Sequence, residues 1–140
     1  MEIEKKSVKL LIDGINVINE DLTLYEESPD DGDMVLLEIV INGQKISCKS
    51  DNFFLALRYL RKELENKNIQ IMCNGCAKNV HPSPMQLSMG SGRMAYKLYI
   101  GQQARKTDIV DIFDCDEGVS FVGIDEQSEF YDKWVKSIIK

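Results

Sequence analysis

The chain has 140 residues, of which 44% are hydrophobic and 29% charged, and a net charge of -6. That length buries a core in one domain without disulfide staples, and the composition excludes fibrous and disordered classes. The opening residues, MEIEKKSVKLLIDG, hold no long apolar run and no small-residue cleavage site, and the most apolar window, MVLLEIVI, is broken by Glu38. Neither a leader nor a membrane span is expected, the expected compartment is cytoplasmic, and Cys48, Cys73, Cys76 and Cys115 are expected as reduced thiols.

In chain order, residues 7–19, SVKLLIDGINVIN, place Asp13-Gly14 between apolar runs. This reads as a hairpin, because the central glycine and β-branched neighbours disfavour a helix. Residues 20–33 are acidic, hold Pro29 and Gly32, and read as a loop. Over 34–50 two strand-like runs flank Asn42-Gly43, with Val35, Leu37, Ile39 and Ile41 alternating onto one face. Ser50 or Asp51 is the expected cap of a helix in SDNFFLALRYLRKELENKN. Phe53, Leu57, Leu60 and Leu64 form its apolar stripe, Arg58, Arg61, Lys62 and Glu65 fall largely off it, and Asn66 or Asn68 ends it in left-handed backbone.

Residues 69–73 read as a short strand, and Asn74-Gly75 as a turn into a proline-bounded loop. Residues 94–100 and 119–124 read as strands, and 108–114 as a strand or short helix. Near the end, Phe130, Trp134 and Ile138 beside Tyr131, Val135 and Ile139 make a broad helical face that needs burial. The order predicts a single α+β domain over residues 1–140: a mainly antiparallel sheet with one central and one C-terminal helix.

The chemistry-bearing side chains concentrate in Cys73-Asn-Gly-Cys76-Ala-Lys-Asn-Val-His81-Pro-Ser-Pro84. A redox CxxC needs a helix N-terminus beneath it to lower a thiol pKa, and Pro82 and Pro84 leave little room for one. Zinc fits better: Cys73 and Cys76 have knuckle spacing, His81 follows, and Cys115 or Cys48 remains as a fourth ligand without a paired neighbour. The plain structural alternative makes Cys73 a strand-end core residue, with Cys76 and His81 on a loop. Any Ser–His or Cys–His scheme must use His81, the one histidine, and no G-x-S-x-G, H-E-x-x-H, P-loop or dinucleotide motif is present. No catalytic residue and no cofactor are expected, and Cys73, Cys76, His81 and Cys115 stand as the metal alternative.

Charge is laid out in blocks. Residues 11–44 hold nine acids and no base, 107–132 nine acids and no base, and 45–106 eleven bases against three acids. Such blocks steer partners of opposite charge. The basic block, with Tyr96 and Tyr99 as stacking surfaces, is of the kind RNA-binding proteins use, but a pI near 4.8 and the acidic flanks oppose phosphate. A basic centre that neutralises acidic flanks within one fold accounts for the same pattern.

The block NVHPSPMQLSMGSGRMAYKLYIGQQARKTDIVDIFD, residues 79–114, covers about a quarter of the chain. Its Pro82-Ser-Pro-Met-Gln run, Met89-Gly90-x-Gly92, Ala95-Tyr96-Lys97-Leu98 with Gly101, and Asp108-Ile-Val-Asp111-Ile-Phe-Asp114 end are its distinctive features. It resembles a segment of small bacterial proteins, some of them immunity proteins of contact-dependent growth inhibition and other polymorphic toxin systems. The resemblance implies a protein without enzymatic activity that neutralises a cognate protein toxin by stoichiometric protein–protein interaction. Many such toxins are nucleases with basic clefts, and an acidic inhibitor gains on-rate against them. The expected contact is therefore acidic: Asp30, Asp31 and Asp33 in one loop, or Asp114, Asp116 and Glu117 in another, with Tyr25 as an aromatic anchor. The alternatives are an RNA-binding protein and a small zinc-binding accessory protein. No membrane partner is expected, and the sequence sets no oligomeric state.

Overall fold

In the computed structural model, which describes residues 3–139, the alternation of the first fifty residues builds a four-strand meander. β1 (Ile3–Ile12) and β2 (Asn16–Tyr25) pair antiparallel along their whole length around Asp13 and Gly14, whose φ of 54° and 71° are what this dipeptide supplies at a hairpin turn. β2 runs to Tyr25, through residues read as loop from their acidity. Leu22 and Leu24 are buried while Asp21 points to solvent, so period-two burial outweighs local charge. Only 26–34 remain as the loop. β3 (Val35–Ile41) and β4 (Gln44–Ser50) then close around Asn42 and Gly43, also at positive φ, with Val35, Leu37, Ile39 and Ile41 all buried.

α1 (Phe53–Glu65) is capped by Asn52 rather than Ser50 or Asp51: its Oδ1 accepts from the Leu55 amide at 2.9 Å. Phe53, Leu57, Leu60 and Leu64 are buried as the stripe predicts. Asn66 keeps right-handed backbone, and Asn68 takes the left-handed φ of 58°. The helix leads to β5 (Ile69–Met72), which adds beside β1 to give the order β4-β3-β2-β1-β5, every pair antiparallel.

A second layer lies against the other side of α1. It comprises a 3-10 turn at Asn74–Cys76, β6 (Val80–His81), α2 (Pro84–Met89), β7 (Met94–Lys97) and β8 (Ile109–Asp111), with sheet order β6-β7-β8. Phe53 meets Phe113 edge-on at 5.7 Å between ring centroids, joining the layers into one core. Expectations were less accurate here. The strand read over 94–100 stops at Lys97, and 119–124 contributes only an isolated bridge between Phe121 and Ala77. The proline-bounded loop contains α2, closed by a capping box in which Ser83 Oγ accepts from the Gln86 amide and Gln86 Oε1 from the Ser83 amide, with Pro84 opening the helix.

α3 (Ile124–Ile138) buries Gln127 and Trp134 and leaves much of its apolar face partly exposed. The fold is α+β, a mainly antiparallel sheet with a central and a C-terminal helix. No helix among the described residues is long and apolar enough to cross a membrane.

Candidate functional site

The CNGC segment is a joint between α1, α3 and the small sheet. Cys73 and Cys76 are both fully buried with their Sγ atoms 3.7 Å apart, so Cys76 is not the loop-surface residue expected. The hydrogen bond to Cys76 and burial push the Cys73 thiol well up. Between them, the Asn74 amide donates to the Asp114 carbonyl at 2.7 Å and the Gly75 amide to the Ile112 carbonyl at 2.8 Å. A Cβ on Gly75 would stand 2.6 Å from Leu57 Cδ2 and 3.0 Å from Ile112 Cβ, so any larger residue there must displace the Leu57 side chain and press on Ile112.

Arg61, expected off the apolar stripe, is 1% exposed because the second layer covers that flank of α1. Its guanidinium donates to Gln127 Oε1 at 2.6 Å and to the Val122 carbonyl at 2.8 Å, and lies 3.7 Å from Glu65. Gln127 in turn donates to the carbonyls of Gly75, Ala77 and Val80. Arg61 and Gln127 thereby hold the turn that carries both cysteines. Sequence reasoning missed both residues, and nothing in the local pattern marks Gln127 as buried.

The four residues of the metal alternative do not converge. His81 Nδ1 donates to the Pro82 carbonyl at 2.7 Å, and its ring stacks on Tyr131 at 3.8 Å with Phe54 edge-on at 5.0 Å. Burial holds this imidazole below its ordinary pKa, opposed by the Pro82 hydrogen bond and aided by the charge of Arg58. Cys115 lies exposed in the second acidic loop. Among the described residues no three His, Cys, Asp or Glu groups come together as a metal site requires.

The charge blocks interlock. Seven of the eleven central bases lie 2.8 to 3.9 Å from a carboxylate: Lys45 with Glu38, Lys49 with Asp30, Arg61 with Glu65, Lys78 with Glu126, Arg93 with Glu4 and Asp111, Lys97 with Asp116, and Arg105 with Asp108. All but Arg61 reach into an acidic flank. The basic centre therefore acts largely within the fold, which leaves less of it for an external phosphate backbone.

Both acidic loops flank the end of the large sheet where β1 begins. The first leaves β2 at Tyr25, opposite Ile3, and the second is tied to β1 by Lys6 to Asp114 at 2.6 Å, while Arg93, just before β7, reaches Glu4 of β1 at 2.8 Å. The expected contact residues divide within that end. Asp30 accepts from Ser28 and Lys49, which lower its pKa, and Asp116 is lowered by Asn74 and Lys97. Asp114 is engaged by Lys6, and Asp31 Oδ1 accepts from the Asp33 amide, shaping the loop. Tyr25 stands half-exposed on the uncovered sheet face, its phenol raised by hydrogen bonding to Glu38. Asp33 and Glu117, with Glu26 and Glu27, are exposed and have no cation in salt-bridge contact among the described residues.

The geometry thus offers a carboxylate-rich end and buried polar joints. No model of a protein family matches the chain, and a search of curated proteins finds no match.

Proposed function

We propose that the protein is an immunity-type inhibitor that binds a cognate toxin with a basic surface, a nuclease by its charge, and blocks it stoichiometrically. The observation that carries this reading is the internal pairing of the basic block, which leaves Glu26, Glu27 and Asp33 in the first acidic loop and Glu117 in the second as exposed carboxylates without an ion pair among the described residues. Such carboxylates accelerate encounter with a cationic partner and disfavour nucleic acid. The block over 79–114 that resembles immunity proteins supports the same reading. It forms α2 and the small sheet, whose β8 leads directly into the second acidic loop.

The test is co-expression with the toxin gene encoded beside it: growth should be restored and the purified pair should co-migrate. Reversing Glu26, Glu27, Asp33 and Glu117 to lysine should slow association about tenfold or more at low salt, with the difference shrinking at about 0.5 M salt. A neighbourhood without a toxin gene, or a toxin that the protein neither binds nor neutralises, overturns the reading.

A further inference from the structure

β2 outruns its partner on one side. Leu22 to Tyr25 pair with Ile39 to Leu36, and continuing that register puts Ile41, the last residue of β3, opposite Glu20. Asn16–Asn19 therefore have no strand on that side, and Glu20 and Asp21 are already unpaired from β3. β1 occupies the other side throughout, and among the described residues the backbone of 16–21 makes no hydrogen bond to any further segment. The result is a projecting two-stranded ribbon with one open edge.

That edge is apolar and acidic together. Ile15, Val17 and Ile18 are 79%, 53% and 37% exposed. A cavity of about 270 Å³ lies nearby between the end of β1 and the turn joining β3 to β4; its lining mixes Ile12, Ile41, Ile46 and Ile69 with Asp13, Asn42, Gln44 and Lys67 and includes no β2 residue. Folded proteins usually blunt such edges with lysine, proline, a bulge or a cover, because unpaired amides and carbonyls template a further strand. The outer strand β4 follows that rule with Lys45 and Lys49. β2 has neither lysine nor arginine; its charges are Glu20 and Asp21, and neither forms an ion pair among the described residues.

We propose that Asn16–Asp21 accept an extended strand of the partner protein that carries apolar residues opposite Val17 and Ile18 and lysine or arginine opposite Glu20 and Asp21, so that each face of the added strand meets one acid. Main-chain bonds to the open edge supply affinity, and alternate side chains over Val17 and Ile18 supply selectivity. A second copy of this chain is the poorer occupant. Pairing two β2 edges would gather Glu20 and Asp21 twice over on strands that carry no base of their own, the nearest lysines being Lys5, Lys6 and Lys9 on the β1 side, and like charges across strands destabilise pairing. This inference rests on the toxin-binding reading and moves the main contact from the acidic loops to the hairpin.

Amide hydrogen exchange on the complex with the co-encoded toxin tests it, alongside affinities of the paired Glu20→Lys and Asp21→Lys variant. Exchange at those amides of Asn16–Asp21 that point to the open edge, rather than into the β1 ladder, should slow at least tenfold on binding, and the variant should raise Kd at least tenfold without lowering Tm. A complex with unchanged exchange at 16–21 and full affinity for the variant overturns the inference and leaves toxin binding standing. Concentration-dependent slowing of the same amides in the isolated chain assigns the edge to self-association and also overturns it. If no complex forms, both the toxin reading and the strand contact fall.

Discussion

Arg61 is the largest fully buried side chain among the described residues, and a buried guanidinium is costly unless its donors and charge are met. Gln127, Val122 and Gly75 supply acceptors, and Glu65 the counter-charge at 3.7 Å. Arg61 Nε and Glu65 Oε2 have no hydrogen bond, so charge rather than a shared proton holds that contact. Glu65 also accepts from the Ile124 amide at 3.5 Å, at the start of α3. Arg61→Ala should lower unfolding free energy by about 3–5 kcal/mol in a denaturant titration, because it leaves Gln127 Oε1 without its donor in a buried joint and removes the counter-charge of the partly exposed Glu65. Arg61→Lys should recover little, since an ammonium cannot span the same set of acceptors. Arg61 falls four residues after Leu57, a spacing that borders the stripe, yet its charge sets it among the residues expected off it. Its burial was not legible, because that depends on a layer built from residues 73–134.

At the scale of elements, legibility followed the range of the interactions. The hairpin turns at Asp13-Gly14 and Asn42-Gly43 and the stripe of α1 depend on neighbours a few residues away, and all were recoverable. β2 extends through residues whose acidity predicts a loop, because Leu22 and Leu24 alternate into the core. α2 carried a local sign that was overlooked, the Ser83-Pro-Met-Gln86 pattern of a capped helix start. Asn52 was displaced from the expected cap by one or two positions. It is enclosed by Gly92, where an added Cβ would stand 2.8 Å from Asn52 Oδ1, and the following Phe53 amide donates to Ser91. Asn52→Ala should cost about 1 kcal/mol in the same titration, with Asn52→Ser recovering part of it.

For the whole molecule, charge ties distant segments together, and it sets the acid response. Arg93 lowers Glu4, Ser28 with Lys49 lowers Asp30, and Asn74 with Lys97 lowers Asp116. A carboxyl with a depressed folded pKa stabilises the protein above its unfolded value, and that contribution is lost as pH falls through the folded one. Stability should therefore hold from neutrality down to the ordinary carboxylate range, about pH 4, and decline below it. Chemical denaturation across pH 2–7 should show this, and Lys97→Met should flatten the acid limb; an unchanged limb would mean that Asp116 gains nothing from that partner.

The sequence alone determined the two hairpins of the meander, their turns, the central and C-terminal helices and the core stripe, all of which arise within a few residues of chain. Tertiary structure decided which charges remain free, that Cys76 and Arg61 are buried, and that β2 keeps an open edge. Those outcomes depend on partners 108 residues apart for Lys6 and Asp114, 89 for Glu4 and Arg93, and 66 for Arg61 and Gln127. Local spacing does not carry contacts of that range; only packing two layers around α1 brings them into hydrogen-bonding distance.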